Sequence, residues 1–281
     1  KLFVLPLLFL QFRRSGDGRL FGRAFVAALV PILLLSCATL IWPEGLINAS
    51  QRPDVPFKDY IAQSGLFAFA AYLLAHETLD RWRAGDRLAA TAAALLAAAF
   101  LANIVFIVTA RTTLVLVPAL ALVFIAQRAG ARTGIALVLV GAVLAGLAWS
   151  ASPQLRSRAL AVATEISDWQ RTGAVTSSGL RAEWWIRSLG FIAESPLIGH
   201  GTGSIPSLFR RVTSGEFVAA QPHNQILTVG LQLGLAGILL LLATWAAHAL
   251  LFLRGEGPAA MIGFAIVAQN VVSSLFNSHL T

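Results

Sequence analysis

Long apolar runs separated by short basic segments dominate this chain. After a partial run at residues 1–12, seven further runs follow. They lie at residues 24–42, 61–79, 88–110, 112–126, 134–150, 225–253 and 259–276. Because a bilayer offers no water to backbone polar groups, such runs are expected to be helices. The first run is shorter than the roughly 20 residues that span a bilayer, so we expect the chain to be a segment of a longer protein.

Composition narrows the class of protein. The chain has 281 residues, of which 57% are hydrophobic and 12% charged, and its mean hydropathy is +0.75. Soluble chains carry about 25% charged residues, so a soluble domain is excluded. The net charge of +8 comes mainly from arginines in short loops, a pattern of membrane topology and not of nucleic-acid binding. Cys37 is the single cysteine, which excludes an intrachain disulfide.

Alternate loops are rich in arginine and belong in the cytoplasm by the positive-inside rule. Their arginines are Arg13, Arg14, Arg19, Arg23, Arg81, Arg83, Arg87, Arg128, Arg132 and Arg254. The remaining loops are then external: 43–60, a tight turn at Arg111, and the long segment 151–222. The sequence therefore predicts an all-α polytopic bundle: transmembrane helices in 1–150, a large periplasmic loop with short helices in 151–222, and C-terminal transmembrane helices in 223–281.

The large loop contains two predicted helices. Apolar residues spaced by three and four between Leu155 and Trp169 predict an amphipathic helix that lies on the membrane surface or roofs the bundle. A second helix, at 180–193, carries Arg181 beside two tryptophans. Glu183 and Arg187 lie four residues apart in the favourable order for an ion pair, whereas Arg181 has no local partner. We therefore expect Arg181 to face a ligand.

Arg111 follows a long apolar run and has no acidic residue near it in the sequence. The flanking acids are Asp86 and Glu165. A charge at this depth is costly and marks a functional hypothesis, although an arginine at a helix end also reaches lipid phosphates. Its external position and the presence of Arg181 on the same face favour the functional interpretation.

His223 stands at a membrane boundary, immediately before the apolar run at 225–253. A single histidine at a helix start is commonly a cap or an interfacial residue. The positive end of a helix dipole nevertheless disfavours imidazolium and keeps the ring neutral, as a general base requires. Asn224 or Gln225 is expected to cap the helix or to orient a substrate.

A glycine-rich turn at 199–204 precedes this boundary. It lacks the Gly-Lys-Ser/Thr of a phosphate loop and follows no strand, which excludes nucleotide binding. Gly201 and Gly203 belong either to an anion-binding nest or to a plain tight turn, and Arg210 and Arg211 follow as possible supporting residues. The five histidines show no ligand spacing, so neither a metal nor a cofactor is expected.

Together, Arg111, Arg181 and His223 suit one kind of chemistry. Two unpaired guanidinium groups match a diphosphate, because each offers bidentate contacts and stays charged. A neutral histidine beside them suits deprotonation of a hydroxyl. Because nucleotide sugars and ATP are cytoplasmic, a diphosphate donor outside the membrane is expected to be lipid-linked.

These motifs, in this order, resemble the O-antigen ligase and polymerase superfamily. The resemblance covers about the last two thirds of the chain and lies in the succession of short motifs. They are Ala110-Arg111-Thr112, Arg181 with Trp184-Trp185, the stretch 196–204, His223-Asn224, and Gly234-Leu235-Ala236-Gly237.

The resemblance implies a metal-independent, GT-C-like glycosyltransferase of the bacterial inner membrane. It would move a glycan from undecaprenyl diphosphate to a sugar hydroxyl of lipid A core, with His223 as the base and with Arg111 and Arg181 on the diphosphate. Repeat-unit polymerisation is the alternative within the family. A flippase for the same lipid-linked glycan is an alternative of another class, against which we find no paired broken helices. A purely structural membrane subunit is a further alternative.

Overall fold

A computed structural model describes residues 18–42, 55–56, 59–212 and 221–278. Ten helices lie in these ranges. They are α1 (Gly18–Ala38), α2 (Tyr60–Arg83), α3 (Arg87–Phe106), α4 (Arg111–Arg128), α5 (Ala131–Ala151), α6 (Pro153–Thr172), α7 (Ser177–Glu194), α8 (Ile205–Arg210), α9 (Gln225–Arg254) and α10 (Gly257–Ser274). The predicted run at 1–12, Arg13, Arg14 and most of the predicted loop 43–60 lie outside the described residues.

Six helices in the described ranges are long and apolar enough to cross a membrane. They are α1 over Leu20–Ala38, α3, α4, α5, α9 and α10. The predicted span at 61–79 corresponds to α2, which has 24 residues but carries several polar and charged side chains in its last turns. The all-α, multi-pass bundle predicted from the sequence is confirmed.

Helix α2 lies at the centre of the main core. Phe67 and Ala70 are fully buried, and Phe67 packs against Phe100 of α3 with ring centroids 4.9 Å apart. Leu116 of α4 and Ala265 of α10 belong to the same apolar cluster, together with part of α1. Neighbouring helices therefore cover the first part of α2, whereas Asp80 and Arg83 in its last turns are exposed.

Charged contacts gather at one end of this bundle. Glu77 on α2 accepts hydrogen bonds from Arg23 of α1 at 2.9 Å and from Arg81 at 2.8 Å. Arg128, the last residue of α4, lies 3.0 Å from Asp80. The start of α1 and the ends of α2 and α4 therefore meet at one arginine-rich end.

The last two helices, α9 and α10, begin at opposite ends of the bundle. The Tyr72 hydroxyl on α2 donates to the carbonyl of Met261, so α10 begins towards the arginine-rich end. At the other end of α10, the Leu275 carbonyl accepts from the Asn224 side chain, which lies at the start of α9. Arg111 and His223 consequently lie at the end of the bundle opposite the arginine-rich end.

Helix α6 covers the end of α3. The Ser152 hydroxyl donates to the Val105 carbonyl at 2.8 Å, and the Gln154 amide donates to the Ile107 carbonyl at 2.9 Å. These side chains satisfy carbonyls that a helix terminus leaves without partners. None of the residues of α6 is buried, so the helix that the sequence predicts between Leu155 and Trp169 forms and lies on the outside of the bundle.

Helix α9 is broken at Gly234, where φ is 61° and ψ is −154°. The sequence predicts an unbroken helix at this point, and that prediction is wrong. The segment 196–204 after α7, which contains the glycine-rich turn and is called the glycine turn from here on, lies against the break and bonds to the backbone groups on both sides of it. The hydrogen bonds run from the amide of His200 to Leu231 (2.9 Å), from Gly201 to Gln232 (2.9 Å), from Leu235 to Pro196 (2.7 Å) and from Ala236 to Leu197 (3.2 Å). Irregular backbone at membrane depth is thereby satisfied within the protein.

A second, smaller apolar cluster joins the loop helices to α9. Phe209 and Leu208 of α8 are buried against Phe191 of α7 and Leu231 of α9. The rings of Phe191 and Phe209 meet edge to face at 5.6 Å. The loop helices are therefore packed onto α9 just above its break.

Replacing Gly234 with Ala is expected to destabilise the protein. A Cβ at this position would lie 2.5 Å from the carbonyl carbon of Leu197 and 2.6 Å from the amide nitrogen of Gly199, which are backbone atoms. Positive-φ strain alone costs about 1–3 kcal/mol, and each kcal/mol lowers Tm by about 2–4 °C in a domain of this size. Thermal unfolding in detergent measures the change. Gly146 on α5 is the control, because a Cβ there meets no atom within 4 Å. A Gly234→Ala protein as stable as Gly146→Ala would contradict the prediction.

Candidate functional site

Arg111 is the first residue of α4, and it has an acidic partner on another helix. Its Nη1 donates to Glu165 Oε2 of α6 at 3.0 Å, and its Nη2 makes a short hydrogen bond to the other carboxylate oxygen. Nη1 also donates to the Ser178 hydroxyl at 2.7 Å. The sequence prediction that Arg111 is unpaired is therefore wrong. Its partner lies 54 positions away, beyond the reach of a local search.

The charge balance at the start of α4 explains this pairing. The N-terminus of a helix carries a partial positive charge, so a cation is unfavourable there. Glu165 supplies the compensating negative charge, and the hydrogen bonds from Arg111 lower the pKa of that carboxyl to about 2 against the opposing effect of its burial. The ion pair is therefore formed throughout the neutral range. Both side chains are mostly buried, with exposed fractions of 23% and 22%.

Arg181 lies on α7, one turn after Ser178. It makes no hydrogen bond or ion pair with any residue that the structure describes, as the sequence predicts. Burial lowers the pKa of its guanidinium, Tyr60 and Glu165 raise it, and the positive charge of Arg111 lowers it. The guanidinium remains protonated at any physiological pH.

The predicted Glu183–Arg187 pair forms at 2.7 Å.

His223 precedes the cap of α9 and has a left-handed backbone, with φ of 53°. Its ring stacks on Trp184 with centroids 5.6 Å apart and an interplanar angle of 28°. The neighbouring Trp185 donates from its indole to the Pro222 carbonyl at 2.9 Å. Burial lowers the pKa of His223 and the charge of Arg181 lowers it further, so the ring is neutral at pH 7.

Helix α7 connects the three predicted site residues. Ser178 contacts Arg111, Arg181 lies three residues later, and Trp184 lies a further three residues on, against His223. Residues three apart share one face of a helix. The charge of Arg111 also lowers the pKa of Arg181, and the charge of Arg181 lowers the pKa of His223. The structure thus brings the predicted residues together along one face of α7.

Asn277, beyond the end of α10, completes the surroundings of the histidine. Its Oδ1 lies 3.4 Å from His223 Nδ1. An amide oxygen only accepts hydrogen bonds, so this contact favours the tautomer with the proton on Nδ1 and the lone pair on Nε2. The contact also raises the pKa of His223, opposing the effect of burial. Asn277 and His223 lie 54 positions apart in the chain, so no local sequence pattern reveals their contact.

The glycine turn contributes to the scaffold. The amides of Gly201 and Gly203 donate to the carbonyl and side-chain oxygens of Gln232, so they are not available for an anion. His200 Nε2 lies 2.7 Å from the Phe191 carbonyl and ties the turn to α7. The tight-turn interpretation of this segment is the one that fits its hydrogen bonds.

The remaining predicted residues have structural or peripheral positions. The Asn224 side chain caps α9 by accepting from the amides of Ile226 and Leu227 at 2.9 and 3.1 Å. Arg210 and Arg211 are exposed at the end of α8, without a contact to Arg111 or Arg181 in the described part of the chain. The same described part contains no group of three or more His, Cys, Asp or Glu arranged to hold a metal ion.

A cavity of about 720 Å³ lies elsewhere, at the arginine-rich end. Its walls include Arg23, His76, Glu77 and Arg128. The basic residues around it are already bonded to Glu77, to Asp80 and to the His76 ring. It is therefore separate from the site around His223 and does not bear on the chemistry there.

A comparison with known protein families finds a match over the central part of the chain. The family model described as O-antigen ligase matches residues 96–242, just over half of the chain. The match contains Arg111, Glu165, Arg181 and His223, along with the glycine turn and the break in α9. A comparison with curated proteins finds no match. The chain, a multi-pass helical membrane protein with two arginines and a histidine gathered along one helix, belongs to the O-antigen ligase family.

Proposed function

We propose that this protein is an O-antigen ligase of the bacterial inner membrane. It transfers a glycan from undecaprenyl diphosphate to a sugar hydroxyl of lipid A core at the periplasmic face, during lipopolysaccharide biosynthesis. Family membership supports a ligase or polymerase reaction. One observation carries the proposal: Arg181, which has no hydrogen-bond or ion-pair partner among the described residues, lies on α7 between the residue that contacts Arg111 and the residue that stacks on His223.

The charges at the site favour a diphosphate. Arg111, Arg181 and Glu165 together leave one net positive charge, and Arg181 lacks a hydrogen-bonded anion within the described residues. A partly buried charge without a partner is costly, and a bound phosphate oxygen removes that cost through charge-assisted hydrogen bonds. A lipid diphosphate brings several such oxygens to the membrane surface, where the sugar it carries meets His223.

The reaction is a single displacement at the anomeric carbon of the donor sugar. His223 Nε2 takes the proton of the acceptor hydroxyl, and the hydroxyl oxygen forms a bond to that carbon from the face opposite the diphosphate. The bond from the carbon to the diphosphate oxygen breaks, and its electron pair remains on the departing diphosphate. Arg111 and Arg181 stabilise that developing charge, as preorganised donors do in other transfer reactions. The anomeric configuration is inverted.

The acceptor distinguishes a ligase from a polymerase. Both reactions use the same donor, base and arginines, and they differ in whether the hydroxyl belongs to lipid A core or to a second lipid-linked glycan. We propose the ligase reaction, and the assay below includes both acceptors.

A transporter is the alternative of another class, and the break in α9 bears on it. Broken helices in transporters leave unwound backbone groups that coordinate ions or substrate. Here the Leu231 and Gln232 carbonyls and the Leu235 and Ala236 amides are all bonded to the glycine turn. The break consequently offers these groups to no ligand, which favours the enzyme.

Replacing His223 with Ala is expected to abolish most transfer. The purified full chain is given undecaprenyl-diphosphate glycan and lipid A core in the presence of a chelator, and the product is separated by mass. A positioned general base contributes about 10²- to 10⁴-fold, so the rate is expected to fall by that factor. Retained transfer by His223→Ala would exclude the base. Lengthening of the lipid-linked glycan without transfer to core would favour the polymerase, and glycan crossing a sealed vesicle without product would favour a flippase.

Replacing Arg111 or Arg181 with Lys is expected to reduce transfer although the charge is kept. An ammonium is a point donor and does not reproduce the planar fork of a guanidinium. Charge-assisted hydrogen bonds contribute about 1.5–3 kcal/mol, which corresponds to roughly a 10- to 100-fold loss. Steady-state kinetics with the donor varied measure the effect. Arg187→Lys is the control, because Arg187 is already paired with Glu183. Near-normal rates in both site variants would contradict the diphosphate assignment.

Asn277 variants are expected to move the acidic limb of the pH profile in opposite directions. Activity should rise as His223 loses its proton, with a midpoint below the ordinary histidine pKa of 6.5. Asn277→Ala removes a contact that raises this pKa, so the midpoint should fall, whereas the carboxylate of Asn277→Asp should raise it. The measurement is kcat/KM between pH 4 and 9. The Asn277→Ala variant is also expected to have ~10-fold lower activity, because the orientation of the His223 ring is lost. Unchanged midpoints in both variants would show that Asn277 does not act on His223.

A further inference from the structure

Arg111 offers five N–H groups, and their partners can be assigned one by one. Each Nη donates one hydrogen to a different oxygen of Glu165, so the carboxylate binds the end of the fork. The second hydrogen of Nη1 goes to the Ser178 hydroxyl. Nε, which is buried, has no partner among the described residues. Within the described part of the chain, two donors thus remain: the Nε–H and the second hydrogen of Nη2.

These two remaining donors lie side by side on one edge of the guanidinium. In planar arginine the Nε–H points in the same direction as one hydrogen of Nη2, and this pair is the second of the two edges that bind oxyanions in a bidentate manner. A buried donor without a partner costs about 1–3 kcal/mol, which a bound oxygen removes. Glu165 therefore occupies the edge formed by Nη1 and Nη2. The edge formed by Nε and Nη2 has no partner among the described residues.

Glu165 is itself held by several contacts on two helices. Ser178 donates to Oε2 through its backbone amide at 2.9 Å, and Thr176 donates through its hydroxyl to the Glu165 carbonyl at 3.0 Å. Thr176 also caps α7 by accepting from the Gly179 amide. Gly179 packs tightly on α6, since a Cβ there would lie 2.5 Å from Trp169 Cβ. The carboxylate is consequently fixed relative to α7, the helix that carries Arg181.

We infer that Glu165 is a positioning residue, which binds one edge of Arg111 so that only the edge formed by Nε and Nη2 is left for the departing diphosphate. This inference rests on the proposed function and adds a residue to it. Glu165 also removes one positive charge from the site. Its carboxylate repels a bound diphosphate, so it weakens ground-state and product binding while it orients the arginine for the transition state.

This dual effect gives Glu165→Gln a distinctive signature. The amide keeps the shape but loses the charge and one acceptor, so Arg111 is no longer held by two oxygens. Orientation is lost while the net charge of the site rises by one. We expect kcat to fall by about 10- to 100-fold, because one charge-assisted pair contributes that much. The inhibition constant of inorganic diphosphate, tested as a competitor of the donor, should stay the same or decrease. A change that merely loosened the fold would weaken both.

Two controls separate this role from a structural one. Glu183→Gln removes the acid of the ion pair within α7, whose exposed fraction is 32% against 22% for Glu165. The kinetics of this variant should match the unmodified protein. In an Arg111→Ala background, Glu165→Gln should cause no further loss of kcat, because residues that act as a unit are not additive.

The outcomes distinguish the two proposals. If the unmodified protein transfers no glycan to either acceptor, the proposed function fails and this inference fails with it. If it transfers glycan but Glu165→Gln has unchanged kcat, or raises the inhibition constant together with the loss of rate, the positioning role alone is overturned. Full additivity with Arg111→Ala would also overturn it. Thermal unfolding of each variant in detergent, with Tm within about 2 °C of the parent, verifies that a folded protein is compared, since that shift is below about 1 kcal/mol.

Discussion

The hydrogen bonds between the glycine turn and the break in α9 determine where the site forms. α7 carries Arg181 and leads directly into the turn, and α9 begins two residues after His223. Four backbone hydrogen bonds fasten the turn to α9 at Gly234, and at Gly199 a Cβ would lie 2.5 Å from the backbone of Gln232. This close approach fixes the separation of the two helices and, with it, the distance from the arginine to the histidine. The need to satisfy backbone groups at membrane depth is what imposes the arrangement.

A second connection runs from the loop to α4. The pairing of Arg111 with Glu165 ties the start of α4 to α6, and Ser178 extends the connection to α7. Each site residue consequently comes from a different part of the chain, and α7 contacts all of these parts. Because α7 contacts every part of the site, it sets the relative positions of these parts. Small displacements of α7 therefore move the two arginines and the histidine together.

Much of the bundle follows from local sequence features. Apolar runs predict the helices, and alternating arginines place Arg23, Arg81 and Arg128 at one end, as the ion pairs to Glu77 and Asp80 show. Local spacing also predicts the Glu183–Arg187 pair. The Arg111–Glu165 and His223–Asn277 contacts each join residues 54 positions apart, so no periodicity reveals them. The break at Gly234 is hidden for a related reason: glycine is common in membrane helices, and only the turn that fills the break shows that this one is not helical.

The left-handed backbone of His223 has a consequence for how the protein balances stability against activity. A non-glycine residue with φ of 53° is strained, and such strain persists where surrounding contacts impose it. Here the Trp184 stack and the Trp185 hydrogen bond to Pro222 supply those contacts. Glycine or asparagine would suit this backbone better than histidine. A substitution of His223 by either residue is therefore expected to relieve the strain while it removes the proposed base, so stability and activity would change in opposite directions.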